Sequence, residues 1–159
     1  MSVCTGKGDG GFSSLSEGKA LCKSELCFRV LGNLDELSAA LGLARAAGGE
    51  RELLESFQQL LVKIMAYVSC REERFLLSRQ ERDIAKAHEK IAFRGFVMWG
   101  ENELSARLNF ARTVARRAER SYVRLNMQTP LDKGALVFLN RLSDALFVMA
   151  CEAENKTTP

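Results

Sequence analysis

Three stretches of this chain carry polar residues that a hydrophobic core has no use for. The first is Thr5-Gly6-Lys7-Gly8-Asp9-Gly10-Gly11-Phe12-Ser13-Ser14. Its glycines let backbone N–H groups converge on an anion, and Thr5, Lys7, Ser13 and Ser14 add donors. The order G-x-x-x-x-G-K-[ST] is absent, so this is not a Walker A loop, and a mobile polar N-terminal tail has the same composition. The second stretch holds Arg112, Arg116 and Arg120 at i, i+4 and i+8, with Glu119 beside them. That spacing puts the guanidinium groups on one side of a helix, and guanidinium forks suit phosphate oxygens. A solvated charged face with Glu119 as intrahelical partner uses the same residues. A nucleic-acid surface is less well supported, because no aromatic residues interleave these arginines for base stacking. The third stretch is Asn140-Arg141-Leu142-Ser143-Asp144, with Asn140 and Asp144 one helical turn apart. Polar residues in an otherwise apolar helix must find partners. They face either a ligand or an inter-helix network in which Arg141 pairs with Asp35 or Glu36. Together the three stretches outline a triphosphate cradle.

The elements that position these residues read as helices. Residues 3–31 look irregular, too rich in Gly at the start for a helix, with short extended pieces around Val3 and residues 28–31. Helical patterning begins at Asn33, an N-cap with Glu36 at the capping-box position, and runs through Leu34, Leu37, Leu41 and Ala44 to Gly48-Gly49. A second helix spans about residues 50–70, with Leu53, Phe57, Leu60, Ile64 and Tyr67 or Val68 as its stripe. A weaker third starts at Ser78, with Glu81 completing a capping box, and carries Ile84, His88 and Ile91. Phe93, Phe96 and Trp99 mark an aromatic loop. The fourth helix, about residues 102–126, buries Leu104, Leu108, Ala111, Ala115, Ala118, Tyr122 and Leu125, opposite the arginines. After Pro130 a fifth, about residues 132–155, buries Leu136, Leu139, Leu142, Leu146 and Met149. Helices with short connections pack as a bundle. The fold class expected is all-α.

Composition narrows the rest. The 159 residues fit one domain that needs no staples for its core. A net charge of +3 argues only weakly for polyanions. The cysteines number 5, none in a C-x-x-C pair, and there is 1 His, so a zinc site has little to be built from. Odd count and irregular spacing suit reduced thiols in a cytoplasmic protein. No apolar run approaching the ~20 residues of a membrane span is apparent, and no signal-peptide core precedes Gly11.

At this point the chain resembles a known family, the PduO-type ATP:cob(I)alamin adenosyltransferases. The matching stretches are residues 5–15 (TGKGDGGFSSL), 32–46 (GNLDELSAALGLARA), 111–120 (ARTVARRAER) and 138–150 (FLNRLSDALFVMA), in the family's order. The resemblance implies a five-helix up-and-down bundle over residues 1–159, with a nucleotide-binding arm at 1–31, the bundle at 32–155 and a tail at 156–159. It implies a homotrimer with sites at subunit boundaries. It implies ATP with Mg²⁺ and cobalamin as ligands, the Mg²⁺ being carried by ATP rather than by protein ligands. It implies no nucleic-acid or membrane partner, with a reductase or an adenosylcobalamin-dependent enzyme as a further one.

Carried over, Thr5, Gly8, Asp9, Gly11, Ser13 and Ser14 wrap the phosphates, and Lys23 lies near the nucleotide. Arg116 contacts the triphosphate, while Glu119 and Asn140 hold the nucleotide and its metal environment. Asp35 and Arg112 match an ion pair across the subunit boundary, and Phe96 matches an aromatic residue on the corrinoid's lower face. The activity implied is transfer of the 5′-deoxyadenosyl group of ATP to cob(I)alamin. The alternative is a catalytically altered ATP- or corrinoid-binding relative acting as carrier or regulator. Departures from the family pattern include Gly6-Lys7 in place of Arg-Thr, and Asn109 in place of a common His. Met98-Trp99-Gly100-Glu101 stands where a Leu-Pro-Gly-Gly turn is usual.

Overall fold

A computed structural model of the chain describes residue 6, residues 8–15, residue 18, residues 20–85 and residues 97–155. Among them stand α1 (Leu26–Ala46), α2 (Arg51–Cys70), α3 (Arg79–Asp83), α4 (Glu103–Gln128) and α5 (Lys133–Asn155). A small antiparallel hairpin, β1 (Phe12–Ser14) with β2 (Ala20–Cys22), precedes them, and a 3₁₀ turn, Glu73–Phe75, follows α2. The all-α class expected from the sequence is what the chain forms.

Three local expectations are corrected. The segment before α1 is not wholly irregular, because β1 pairs with β2 in the register Phe12↔Cys22, Ser13↔Leu21 and Ser14↔Ala20. Residues 28–31 are helical rather than extended. Helix α1 begins at Leu26, not Asn33, and its N-cap Glu25 makes no side-chain cap bond. The physical reason is that the apolar stripe extends upstream. Leu26 packs against the core and Val30 is fully buried, one turn before Leu34, so the helix gains burial by starting early. Asn33 and Glu36 therefore sit inside the helix, and Glu36 pairs with Arg117 of α4 instead of closing a capping box. The capping box at Ser78 does form, with Glu81 N–H donating to the Ser78 hydroxyl at 3.2 Å and Ser78 N–H to Glu81 at 2.7 Å. It opens α3, whose described α-helical residues end at Asp83. His88, Ile91, Phe93, Phe96, Val3 and Thr5 lie outside the described residues.

The core is built from the predicted stripes. Leu34, Leu37 and Leu41 of α1, Phe57 and Ile64 of α2, Leu108 and Tyr122 of α4, and Leu139 and Leu142 of α5 are buried. Each such side chain contributes about 1.5–3 kcal/mol on leaving water. Phe57 and Phe138 meet edge to face at 6.2 Å, joining α2 to α5. Within α5, the 22-residue stretch Lys133–Glu154 contains an 18-residue window of mean hydropathy 1.5, long and apolar enough on composition alone to cross a membrane, contrary to expectation. That window is 67% buried inside the bundle, which accounts for its composition.

The register between α4 and α5 decides where the polar stretches meet, and it is locked at both ends. At the turn, the Tyr122 hydroxyl donates to the Asp132 carbonyl at 3.0 Å, and Leu131 N–H donates to Asn126 Oδ1 at 2.7 Å. The Asp132 carboxylate accepts from the N–H groups of Gly134 and Ala135, capping α5. At the far end, Asn102 caps α4 through Ser105 N–H and donates to the Ala153 carbonyl, while the Ser105 hydroxyl meets Glu154.

Candidate active site

With that register, the arginine face of α4 lies against the polar stretch of α5. Between them opens a cleft of about 380 Å³, lined by Arg112, Arg116, Arg141, Ser143, Asp144, Phe147 and Val148. Arg112 is half-buried, held by Asn109 Oδ1 at 2.9 Å and by the ring of Phe147, whose centroid lies 5.8 Å from its guanidinium carbon. Burial, and then the neighbouring Arg116 charge, pull the Arg112 pKa below the ordinary arginine value. Two like charges thus share one wall, with the half-buried member destabilised by both. Arg120, the third of the ladder, is exposed and does not line the cleft.

The arginines of α4 fall into two groups. Arg107 pairs with Glu103 one turn back, and Arg117 pairs with Glu36 of α1. Arg112 and Arg116 meet no carboxylate among the described residues. Arg116 and Arg120 are exposed, as in the solvated charged face that the sequence also allowed. Glu119 is not a partner of the ladder; it accepts a hydrogen bond from Asn140 Nδ2 at 3.0 Å, bridging α4 to α5 one turn beyond the cleft. Arg141 pairs with Asp144 on its own helix at 3.7 Å, not with Asp35 or Glu36. Ser143 is buried, its hydroxyl donating to the Asn140 carbonyl at 2.9 Å.

The Gly-rich arm forms a second polar centre. Asp9 N–H donates to the Gly6 carbonyl and Gly11 N–H to the Gly8 carbonyl, both at 3.2 Å, as overlapping turns. Gly11 takes a φ of +79°, which favours glycine. Lys23 fastens the arm, its Nζ donating to the Gly8 carbonyl at 2.7 Å and its N–H to the Gly11 carbonyl at 2.9 Å. A Cβ on Gly8 would stand 2.8 Å from Lys23 Nζ, so a side chain there would push the lysine aside. Ser13 and Ser14 follow on β1.

The structure thus gathers Arg112 and Arg116 in one cleft, joins Glu119 to Asn140, and binds Gly8 and Gly11 to Lys23. It does not bring the arm onto the cleft: among the described residues no hydrogen bond or ion pair connects them. Asp35 is exposed on α1, with no ion pair to Arg112 within the chain. Thr5 and Phe96 lie outside the described residues. Phe147 was missed by the sequence reading, although its position one turn after Ser143 aims it at the same cleft.

The sequence profile of the cobalamin adenosyltransferase family matches residues 3–153, and the chain belongs to that family. The corrinoid adenosyltransferase PduO of Salmonella typhimurium is 34% identical, the match covering 94% of this chain and 49% of that protein. The chain spans about half the length of the first curated relatives it matches. A corrinoid adenosyltransferase of Citrobacter freundii is 32% identical over 99% of this chain and 96% of its own. A variant of the PduO-type ATP:corrinoid adenosyltransferase of Lactobacillus reuteri, in complex with cobalamin and ATP, superposes with a TM-score of 0.85. It is 25% identical, covering 99% of this chain and 97% of that one.

Proposed function

We propose that this chain transfers the 5′-deoxyadenosyl group of ATP to the cobalt of cob(I)alamin, giving adenosylcobalamin and triphosphate. The observation that carries this reading is the pair Arg112 and Arg116, two guanidinium groups lining one cleft, neither of them in an ion pair within one copy among the described residues. Such a pair suits a polyanion. The names of the relatives supply the identity of the polyanion and of its acceptor.

In the reaction, Co(I) donates an electron pair to the 5′ carbon, the cobalt–carbon bond forms, and the carbon–oxygen bond breaks. Triphosphate leaves with that bond's electrons. The protein needs no covalent nucleophile; it must align the reactants and stabilise the leaving charge. Arg116 faces the triphosphate. Gly8, Asp9, Gly11, Ser13, Ser14 and Thr5 wrap it, with Lys23 bracing the arm. Glu119 and Asn140 orient the nucleotide, whose Mg²⁺ adds positive charge beside the phosphates when bound. Phe96 closes the corrinoid's lower face against water.

The functional unit is one domain, its arm ending at Glu25, in a homotrimer. Asp35 of one copy pairs with Arg112 of the next, and the arm of one copy closes its neighbour's cleft. That no hydrogen bond or ion pair joins arm to cleft within one chain, among the described residues, supports this arrangement. The free thiols Cys22, Cys27, Cys70 and Cys151 suit a cytoplasmic setting, where a reductase delivers the electron.

The test is anaerobic incubation of purified protein with chemically generated cob(I)alamin and Mg·ATP, following the visible spectrum. Conversion of the Co(I) band to an adenosylcobalamin spectrum, dependent on protein and ATP, is the expected result. ATP-induced stabilisation without conversion would overturn the enzymatic reading in favour of a carrier.

A further inference from the structure

The hairpin before α1 carries one large apolar side chain that the fold leaves uncovered. Successive residues of a strand point to opposite faces, and residues directly opposite in an antiparallel ladder share a face. The register Phe12↔Cys22, Ser13↔Leu21 and Ser14↔Ala20 therefore sets Phe12, Ser14, Ala20 and Cys22 on one face, and Ser13 with Leu21 on the other. Ser13 and Leu21 are half-buried, whereas Ser14, Ala20 and Phe12 are exposed, Phe12 at 55%. The outer face is thus a shelf of small side chains and one ring. Among the described residues no other ring meets Phe12, and its cross-strand neighbour Cys22 is too small to cover it. The ring is nonetheless held in place. Lys23 N–H donates to the Gly11 carbonyl at 2.9 Å, carrying the ladder one step past Phe12, and Lys23 Nζ ties down Gly8 at 2.7 Å.

We propose that Phe12 binds the base of the nucleotide: the purine of ATP stacks on its ring while the turns before it hold the phosphates. The inference rests on the reading of the arm as the phosphate wrap. The other described residues given to the nucleotide are polar or glycine, and none offers a flat apolar face. A strand advances about 3.3 Å per residue, so the ring stands roughly one ribose away from the Gly11 turn. Attack on the 5′ carbon needs that carbon fixed, and it lies between the phosphates and the base. Stacking anchors the base end without asking for a particular hydrogen-bond pattern, so both ends are held and the carbon between them is aligned. The ring travels with the arm, so the copy that wraps the phosphates also holds the base.

The experiment is calorimetric titration of wild type, Phe12→Leu and Phe12→Tyr with Mg·ATP and with inorganic tripolyphosphate. Leucine keeps apolar bulk without a ring, and tyrosine keeps the ring. Phe12→Leu should weaken ATP about fivefold to tenfold and leave tripolyphosphate within about twofold, while Phe12→Tyr should match wild type for both. Equal loss for the two ligands would show a damaged arm, and undiminished ATP affinity would show that the ring serves something else; either overturns the proposal. Sedimentation of the same samples covers a second copy as the occupant: an assembly that dissociates in Phe12→Leu, with ATP affinity kept, overturns it. In the adenosylcobalamin assay KM for ATP should follow the binding change, and a rise in KM for cob(I)alamin alone would give the ring to the corrinoid instead. Ring-dependent ATP affinity without product would sink the proposed reaction and leave the stacking role standing. Product formation with equal ATP affinities in all three proteins would do the reverse, and a wild type that binds no ATP overturns both.

Discussion

Two clefts of similar size open beside α4 and α5, about 380 Å³ at mid-bundle and about 410 Å³ at the end where the α1–α2 turn meets them. The end cleft is lined by Gly48, Gly49, Glu50, Asn102, Leu104, Leu108, Met149, Glu152 and Ala153. Its amide side chain is already committed. Asn102 caps α4 and bonds α5, and next to it Glu154 takes Ser105 and the Glu101 N–H. Glu50 and Glu152 are exposed carboxylates. At mid-bundle Arg112 and Arg116 stand side by side, neither in an ion pair within one copy among the described residues. Volume does not separate the two clefts; the sign and burial of their charges do, a half-buried arginine beside a second one at mid-bundle against exposed carboxylates at the end.

The largest test of that contrast is Arg116→Ala. It should lower kcat about 10²–10³-fold while leaving unfolding in urea unchanged, since Arg116 is exposed. Retained turnover would remove the reason for preferring the mid-bundle cleft. Glu154→Gln should do the opposite, costing about 1–3 kcal/mol in urea denaturation while the kinetics of the folded protein hold. Asn140→Ala strips the hydrogen bond from Glu119 and should raise KM for ATP about fivefold at unchanged stability.

The smallest effect is one of pH. Burial raises the Glu81 pKa, but the hydrogen bonds from Lys63 and from Ser78 outweigh it and hold the carboxyl below its ordinary value. A depressed folded value means that Glu81 contributes stability above about pH 4.5, lost as pH falls through the folded pKa. Wild type should therefore destabilise more steeply on acidification than Glu81→Gln. Equal slopes in acid denaturation would show the Lys63–Glu81 pair to be idle.

Much of this was legible in the residues. The stripe from Leu108 to Leu125 placed α4 correctly, and the i, i+4 arginines placed Arg112 and Arg116 on one face. The start of α1 was misread because Asn33 and Glu36 imitate a capping box, a local signal that burial of Val30 overrides. The hairpin was hidden because Phe12–Ser14 and Ala20–Cys22 are too short for alternation to show. One-dimensional spacing also could not tell Arg117, which finds Glu36 across the bundle, from Arg116, which has no ion pair among the described residues. That distinction depends on which helix lies alongside, and it is the distinction on which the site turns.

The apolar character of α5 has a consequence for how the protein is lost. A core helix as apolar as the Lys133–Glu154 stretch is a sticky object once the bundle opens. Exposed chains should find one another faster than α1, α2 and α4 can close around α5 again. Heating then measures a rate rather than an equilibrium, and the apparent midpoint should climb with scan speed. A ligand that spans α4 and α5 would protect the molecule chiefly by lengthening its lifetime.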